Sequence, residues 1–268
     1  MSDIRPQFKL CVLASGSRGN CIFVRTPGAA LLIDAGLSAR ETARRLELIG
    51  EPIADVRAIC VSHEHSDHVA GIPVLHRQWQ PALYANRGTA DGVRAGRDGV
   101  TELPWNIFTT GQPFTVGDLA IEPFSVPHDA LEPVGFVLRR GALRVGIATD
   151  LGMATTLIRE RLRGCRALVL EANHDEHLLK NSKRPWPLIQ RIASRQGHLS
   201  NRHALDLLRD LCAPELEQVF LAHLSDECNT PDVALQDIAG GLREAGATQV
   251  RVEMTWPDRP SAVWTVDE

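Results

Sequence analysis

Four side chains able to bind a metal ion fall within six residues, His63, His65, Asp67 and His68, in the run Ser62-His-Glu-His-Ser-Asp-His68. Residues 56–62 just before them are apolar and read as a buried strand, so His63 stands where that strand ends. In extended chain, residues two apart point the same way, and His63 and His65 can converge on one cation. Ser66 is a good N-cap, and a helix beginning there aims Asp67 and His68 at a second point a few ångströms away. Two imidazoles on one side and a carboxylate with an imidazole on the other make half of a two-metal site.

The other half should come from strand ends downstream. His128 follows the apolar run 121–126, Asp150 ends 145–149, and His223 ends 219–222. Each taken singly has a plainer reading; Asp150 alone would be an N-cap for a helix after Leu151. Taken as a set they supply His63, His65 and His128 to one metal, Asp67, His68 and His223 to the other, and Asp150 as a carboxylate bridging both. Imidazole-rich ligation favours two Zn²⁺ per chain, is compatible with Mn²⁺ or Fe²⁺, and excludes the all-oxygen sites of Ca²⁺ or Mg²⁺.

The elements that would position these residues alternate clearly. Strand-like runs at 9–14, 21–25 and 30–34 open the chain, followed by a helix from the Ser38 N-cap to Ile49 with Gly50 as its stop. A helix to about Gln78 follows the histidine motif, then a strand at 81–85 and an ambiguous Gly-rich stretch, 89–100. Strands at 114–116, 119–126, 134–140 and 143–149 come next. Helices at 154–162, 187–194, 201–211 and 232–245 then alternate with strands at 167–171 and 219–222, before strands at 249–253 and 262–266. Strands then helices, twice over, suit an α/β fold: an αββα sandwich of two mixed sheets face to face with helices outside, one domain over 1–268.

Composition agrees with a compact α/β protein. Among 268 residues, 44% are hydrophobic and 23% charged, ordinary for a globular chain. The start, Met1 to Gln7, has no signal-peptide core, and no apolar run approaches membrane-spanning length. The six scattered cysteines lack any Cys-x-x-Cys pair and point to a reducing, cytoplasmic setting. A net charge of −4 does not by itself favour nucleic acid. Oligomeric state is not legible.

His-x-His-x-Asp-His, followed by a His, an Asp and a His at strand ends, resembles the metallo-β-lactamase fold superfamily over nearly the whole chain. Leu32-Ile-Asp34-Ala-Gly36 matches its early Asp motif, a non-ligand that in the family supports the His loop. A true lactamase of the fold has Cys where Asp150 stands. The β-CASP nucleases insert a large module between the bridging Asp and the last His, and the 72 residues between Asp150 and His223 leave no room for it. A string of polar motifs narrows the resemblance: Ala14-Ser-Gly-Ser-Arg-Gly-Asn20, Pro127-His-Asp-Ala130, Ala148-Thr-Asp-Leu-Gly152, Glu171-Ala-Asn-His-Asp175, Gly197-His-Leu-Ser-Asn201 and His223-Leu-Ser225. Together they are similar to the YycJ (WalJ) subfamily. The resemblance implies a phosphodiesterase of the nuclease kind, a DNA exonuclease working through a metal-bridging hydroxide, with Asp67 and Asp150 in the catalytic centre. The alternative is a small-molecule hydrolase of the same fold, a cyclic-phosphate diesterase or a thioester hydrolase. After His-Leu-Ser the subfamily has Glu-Asn-Asn where this chain has Asp226-Glu-Cys-Asn229, a departure at the local substrate contacts.

Read from the residues alone, Ser15, Ser17 and Asn20 sit on a Gly-rich turn that can present N–H groups to an anion, or that is simply a hairpin turn. Gly197-His198-Leu-Ser200-Asn201 precedes a helix, so its N–H groups can hold a phosphate oxygen with His198 as a donor or general acid; Ser200 or Asn201 can equally be only an N-cap. From His174 to His203 the chain carries Lys180, Lys183, Arg184, Arg191, Arg195 and Arg202 against Asp175 and Glu176. Trp186 in this basic run can stack a base or pack a core edge.

Overall fold

The computed structural model describes residues 7–96 and 103–267. The reading of the amino-terminal start therefore lies outside the described residues through residue 6, as does that of the Gly-rich stretch beyond residue 96. The chain divides into two compact units, Met1–Ile121 with Ala130–Glu132 and Trp256–Glu268, and Glu122–Asp129 with Pro133–Thr255.

In the first unit, β1 (Phe8–Ala14), β2 (Cys21–Arg25) and β3 (Ala30–Ile33) run antiparallel. β4 (Ala58–Cys60), β5 (Ala82–Ala85) and β6 (Trp105–Ile107) then continue the sheet in parallel, and the last strand, Trp264–Val266, pairs with β1 on the far edge. Leu13, Phe23, Leu32, Ile59, Ile72 and Leu83 form the centre of its core, each buried side chain contributing about 1.5–3 kcal/mol. α1 (Ala39–Leu48) begins as expected at Ser38, whose side chain accepts the Glu41 N–H, and Gly50 just beyond it takes a left-handed φ of 73°. The single helix expected after the histidine motif is two, α2 (Ser66–Val69) and α3 (Ile72–Trp79), with His65 and not Ser66 at the cap position. Gly71 breaks it: its N–H donates to Ala35 O, and a Cβ there would collide with the Leu37 carbonyl. The ambiguous stretch begins as a helix, α4 (Arg87–Ala95), capped by Asn86.

β7 (Phe114–Val116) and β8 (Leu119–Ser125) lead into the second unit, where β9 (Val134–Arg140) and β10 (Leu143–Ala148) are antiparallel. β11 (Ala167–Glu171), β12 (Gln218–Ala222) and β13 (Arg251–Met254) extend β10 in parallel. The two mixed seven-stranded sheets have the orders β14-β1-β2-β3-β4-β5-β6 and β13-β12-β11-β10-β9-β8-β7, β14 being the carboxy-terminal strand. β11 and β12 are buried along their whole length, as parallel strands covered on both faces must be. α5 (Thr156–Leu162), α6 (Glu176–Lys180), α7 (Trp186–Ile192), α8 (Asn201–Leu211) and α9 (Pro231–Glu244) complete this unit. α8 buries Ala204, Leu207, Leu208 and Leu211, the spacing of one helical face, and Gly241 of α9 lets the Leu205 side chain approach closely. Asp150 is not the N-cap it would be if read alone. α5 starts later and is capped by Thr155, whose side chain accepts the Ile158 N–H.

Candidate metal centre

In the first unit, the histidine loop is built around a buried carboxylate. Asp34, the residue after β3, has φ 59°, a conformation that costs a non-glycine residue about 1 kcal/mol or more. From there its Oδ1 accepts the Ser62 N–H at 2.8 Å, and its Oδ2 accepts Ser62 Oγ–H at 2.8 Å and His68 Nδ1–H at 2.7 Å. That last bond fixes the tautomer, placing the His68 lone pair on Nε2. Asp67 Oδ2 lies 3.5 Å from this Nε2, so a carboxylate oxygen and an imidazole nitrogen converge. His63 Nε2 and His65 Nδ1 converge too, at 3.1 Å; two nitrogens held about 2.05 Å from one tetrahedral zinc stand roughly 3.3 Å apart.

The turn read as a substrate contact frames this loop. Asn20 is buried; its Oδ1 accepts the Gly16 N–H at 2.8 Å, and its Nδ2 donates to Asp67 Oδ2 at 3.0 Å and lies 2.9 Å from His68 Nε2. Its N–H donates to Asp67 O at 2.7 Å. Gly36 is required here, because a Cβ would collide with the Asp67 carbonyl. Ser15 is buried, with its N–H on Trp256 O, and Ser17 is exposed.

In the second unit, His128, Asp150, His198 and His223 are brought together near a carboxylate that is not among the expected ligands. Glu171, the last residue of β11, is fully buried. Its Oε1 accepts His198 Nδ1–H at 2.7 Å and His223 Nδ1–H at 3.1 Å, while Oε2 accepts the N–H groups of Leu151 at 2.8 Å and Leu199 at 3.2 Å. His128 Nδ1–H donates to Gly197 O at 3.2 Å. In the His128 and His223 rings the lone pair is thereby assigned to Nε2. Asp150 Oδ1 lies 3.4 Å from His223 Nδ1, and both residues have φ 57° just past a strand end. The His198 ring sits between the other two, 5.3 Å from His128 and 5.1 Å from His223, centroid to centroid.

Burial alone would raise the Glu171 carboxyl and lower His198. The ion-pair attraction between them, with the Glu171–His223 bond, outweighs both, so Glu171 is held below the usual carboxylate range and His198 above the usual imidazole one. Burial dominates at His128 and holds it below the ordinary value. Ser200 caps α8, its Oγ accepting the His203 N–H and donating to Glu176 Oε1 at 3.0 Å, and Asn201 is buried against Asn229 and Asp237. The carboxylate missed had a signal: Glu171 ends an apolar strand, as Asp150 and His223 do.

A family profile described as Beta-lactamase superfamily domain matches residues 30–224, spanning the histidine loop, Asp150, Glu171 and His223. The chain belongs to this superfamily. Among similar proteins, "Exodeoxyribonuclease YycJ" of Bacillus anthracis is 35% identical over 235 residues, 88% of this chain and 89% of that one. "Exodeoxyribonuclease WalJ" of Streptococcus pneumoniae is 34% identical over 247 residues, 91% of each. The metallo-β-lactamase fold protein YhfI of Bacillus subtilis, 16% identical, superposes with a TM-score of 0.72 over 97% of this chain and 99% of that one. The fold is thus the metallo-β-lactamase fold, an α/β sandwich, and the chain falls in its YycJ/WalJ branch. As a superfamily member it is a metal-dependent hydrolase with a divalent-metal site. Among the described residues no helix is long and apolar enough to cross a membrane.

Proposed function

We propose that this hydrolase is a dinuclear zinc phosphodiesterase that digests DNA from an end. The observation carrying the metal reading is the tautomer pattern. His68, His128 and His223 each hold Nδ1–H on a carboxylate or backbone carbonyl, the arrangement that orients metal-binding imidazoles and raises their basicity. In our assignment, His63, His65 and His128 would hold one ion and Asp67, His68 and His223 the other, with Asp150 serving both. The donors are nitrogen and oxygen with no thiolate, which fits Zn²⁺ and also admits Mn²⁺ or Fe²⁺. Two such ions, when bound, supply an activated water and neutralise charge growing on a phosphoryl group.

The chain's own residues then have separate tasks. Asp67 and Asp150 would each serve as a metal ligand and as an acceptor that orients the attacking water. His198, whose protonated form the Glu171 carboxylate favours, is the group that would donate from Nε2 to a phosphate oxygen or to the leaving group. Of the other residues read as substrate contacts, Ser17 is retained as a direct one. Ser15, Asn20, Ser200 and Asn201 shape the loops, since they are buried in the protein. The DNA assignment is supported by the two exodeoxyribonuclease relatives, each matched over about nine-tenths of both chains. We read the chain as one domain without a β-CASP insertion. The six cysteines, linked by no disulfide, support a reducing, cytoplasmic setting.

Four substrates test the reading: end-labelled DNA, a cyclic nucleotide, bis-p-nitrophenyl phosphate and a thioester, with metal analysis of protein purified without chelator. Close to two equivalents of metal, phosphodiester cleavage and mononucleotides released from one end are expected. Turnover of a cyclic nucleotide with DNA untouched would instead make this a small-molecule diesterase. His198→Ala should retain both metals and lose turnover by roughly 10²–10⁴-fold; unchanged turnover would remove His198 from the chemistry.

A further inference from the structure

Between Glu171 and His198 the second unit carries a small arm, α6 and α7, with an apolar centre of its own. Leu179, Ile189 and Ile192 close over Cys228 in a buried cluster. Trp186, the first residue of α7, takes no part in it and is 61% exposed. It does not pack a core edge, the plainer of the two readings of this residue. An exposed indole beside charge offers a flat face on which a base can stack.

The charges of the basic run divide in two. Arg184, Arg191 and Arg202 are matched by Glu227, Asp129 and Glu176. Lys180, Lys183 and Arg195 are exposed and make no ion pair among the described residues, and the two lysines lie on the approach to Trp186.

The far end of α7 is fastened to the candidate centre at two points. Arg191 holds Asp129, the neighbour of His128, at 2.6 Å, and Ile192 O accepts the His198 N–H at 2.9 Å. Gly197 makes the second fastening possible, because a Cβ there would collide with the Arg191 and Ile192 carbonyls. From Trp186 to Ile192 is six residues of helix, a rise of about 9 Å, the span of two to three stacked nucleotides at ~3.4 Å each.

We infer that the α6–α7 arm is a grip for single-stranded DNA, in which Trp186 stacks on a base two to three nucleotides from the phosphate held at His198. Lys180 and Lys183 neutralise the backbone beside that base. The strand is single because a stacking ring needs an open base face, which a duplex offers only at its ends. The inference rests on the nuclease reading and gives that activity its substrate form and minimum length.

The test uses the zinc-loaded enzyme and its Trp186→Ala, Trp186→Phe and Lys180→Ala/Lys183→Ala variants on (dT)12, (dT)2 and bis-p-nitrophenyl phosphate, with end-labelled duplex DNA for the wild type. Trp186→Ala should raise KM for (dT)12 by roughly 10-fold or more, with little change on the two short substrates, and Trp186→Phe should restore most of the loss. The double lysine variant should reduce the slope of log KM for (dT)12 against log salt by about 1.4, for two phosphates on a single strand. If the wild type digests (dT)12 and Trp186→Ala matches it, the grip is refuted and the nuclease reading stands. Equal losses on all three substrates also refute the grip, since they mark a structural role. If the wild type digests end-labelled duplex DNA and neither binds nor cuts (dT)12, the grip is refuted and the nuclease reading stands; if it cleaves bis-p-nitrophenyl phosphate and touches neither DNA, both fall.

Discussion

Glu171→Gln changes one atom of a fully buried side chain, and its consequences can be worked through bond by bond. The carboxylate accepts four N–H groups, two from the backbone on Oε2 and two from imidazoles on Oε1. A glutamine keeps one accepting oxygen. The backbone donors of Leu151 and Leu199 cannot reverse, so that oxygen should stay with them and the amide should face the two rings. His198 and His223 must then accept at Nδ1 and carry their proton on Nε2. Two charge-assisted bonds of about 1.5–3 kcal/mol become neutral ones of about 0.5–1.5, a net loss of about 2–3 kcal/mol.

The same tautomer change removes the Nε2 lone pair of His223, so zinc affinity should fall roughly 10–100-fold. Urea unfolding of the chelator-treated protein and zinc competition against a chromophoric chelator measure the two losses separately. pH adds a signature. Because the folded Glu171 is depressed, its stabilisation is complete above the unfolded glutamate value of about 4.3 and is lost as pH falls through the folded one. For His198, raised in the fold, the stabilisation is present below about 6.5 and is lost as pH rises through the folded value. The stability gap between wild type and variant should therefore be widest between these limits. A gap under about 0.5 kcal/mol across that range, with zinc affinity unchanged, would refute the role given to Glu171.

Three other substitutions probe the two units. Asp150→Ala should weaken both metals and abolish turnover, seen as a fall from two equivalents by elemental analysis; two tightly held metals would end its bridging role. Gly36→Ala should displace the loop carrying Asp67 at a cost of about 1–3 kcal/mol or more. Thermal unfolding and metal content should both fall, whereas Gly50→Ala, where a Cβ meets nothing within 4 Å but φ is positive, should cost stability alone.

What could be read from sequence follows how locally each feature is encoded. The histidine loop was legible because its candidates lie within one turn of chain, and the strand-end rule selected His128, Asp150 and His223. Applied to 167–171 it would have selected Glu171 as well; that residue was missed because its partners lie 27 and 52 positions away and its motif suggested no ligand. The break before α3 was hidden because its cause, Leu37 against Gly71, is a tertiary contact. α6, five residues long, is too short to show a period. Asn20 was read for its chemistry, and only the folded loop reveals that Gly16, Asp67 and His68 occupy its amide.

Three strand ends, at Asp34, Asp150 and His223, leave a side-chain-bearing residue in a left-handed turn. Each costs about 1–2 kcal/mol that a glycine would not incur. A glycine at Asp34 or His223 would relieve the turn but forfeit the buried hydrogen bonds those side chains make, so selection for heat resistance alone, with no demand for turnover, would find its gain at Asp150 and return a sturdier, inert protein. The strain thus records a conflict between durability and chemistry, fixed in the backbone at the places where the two compete.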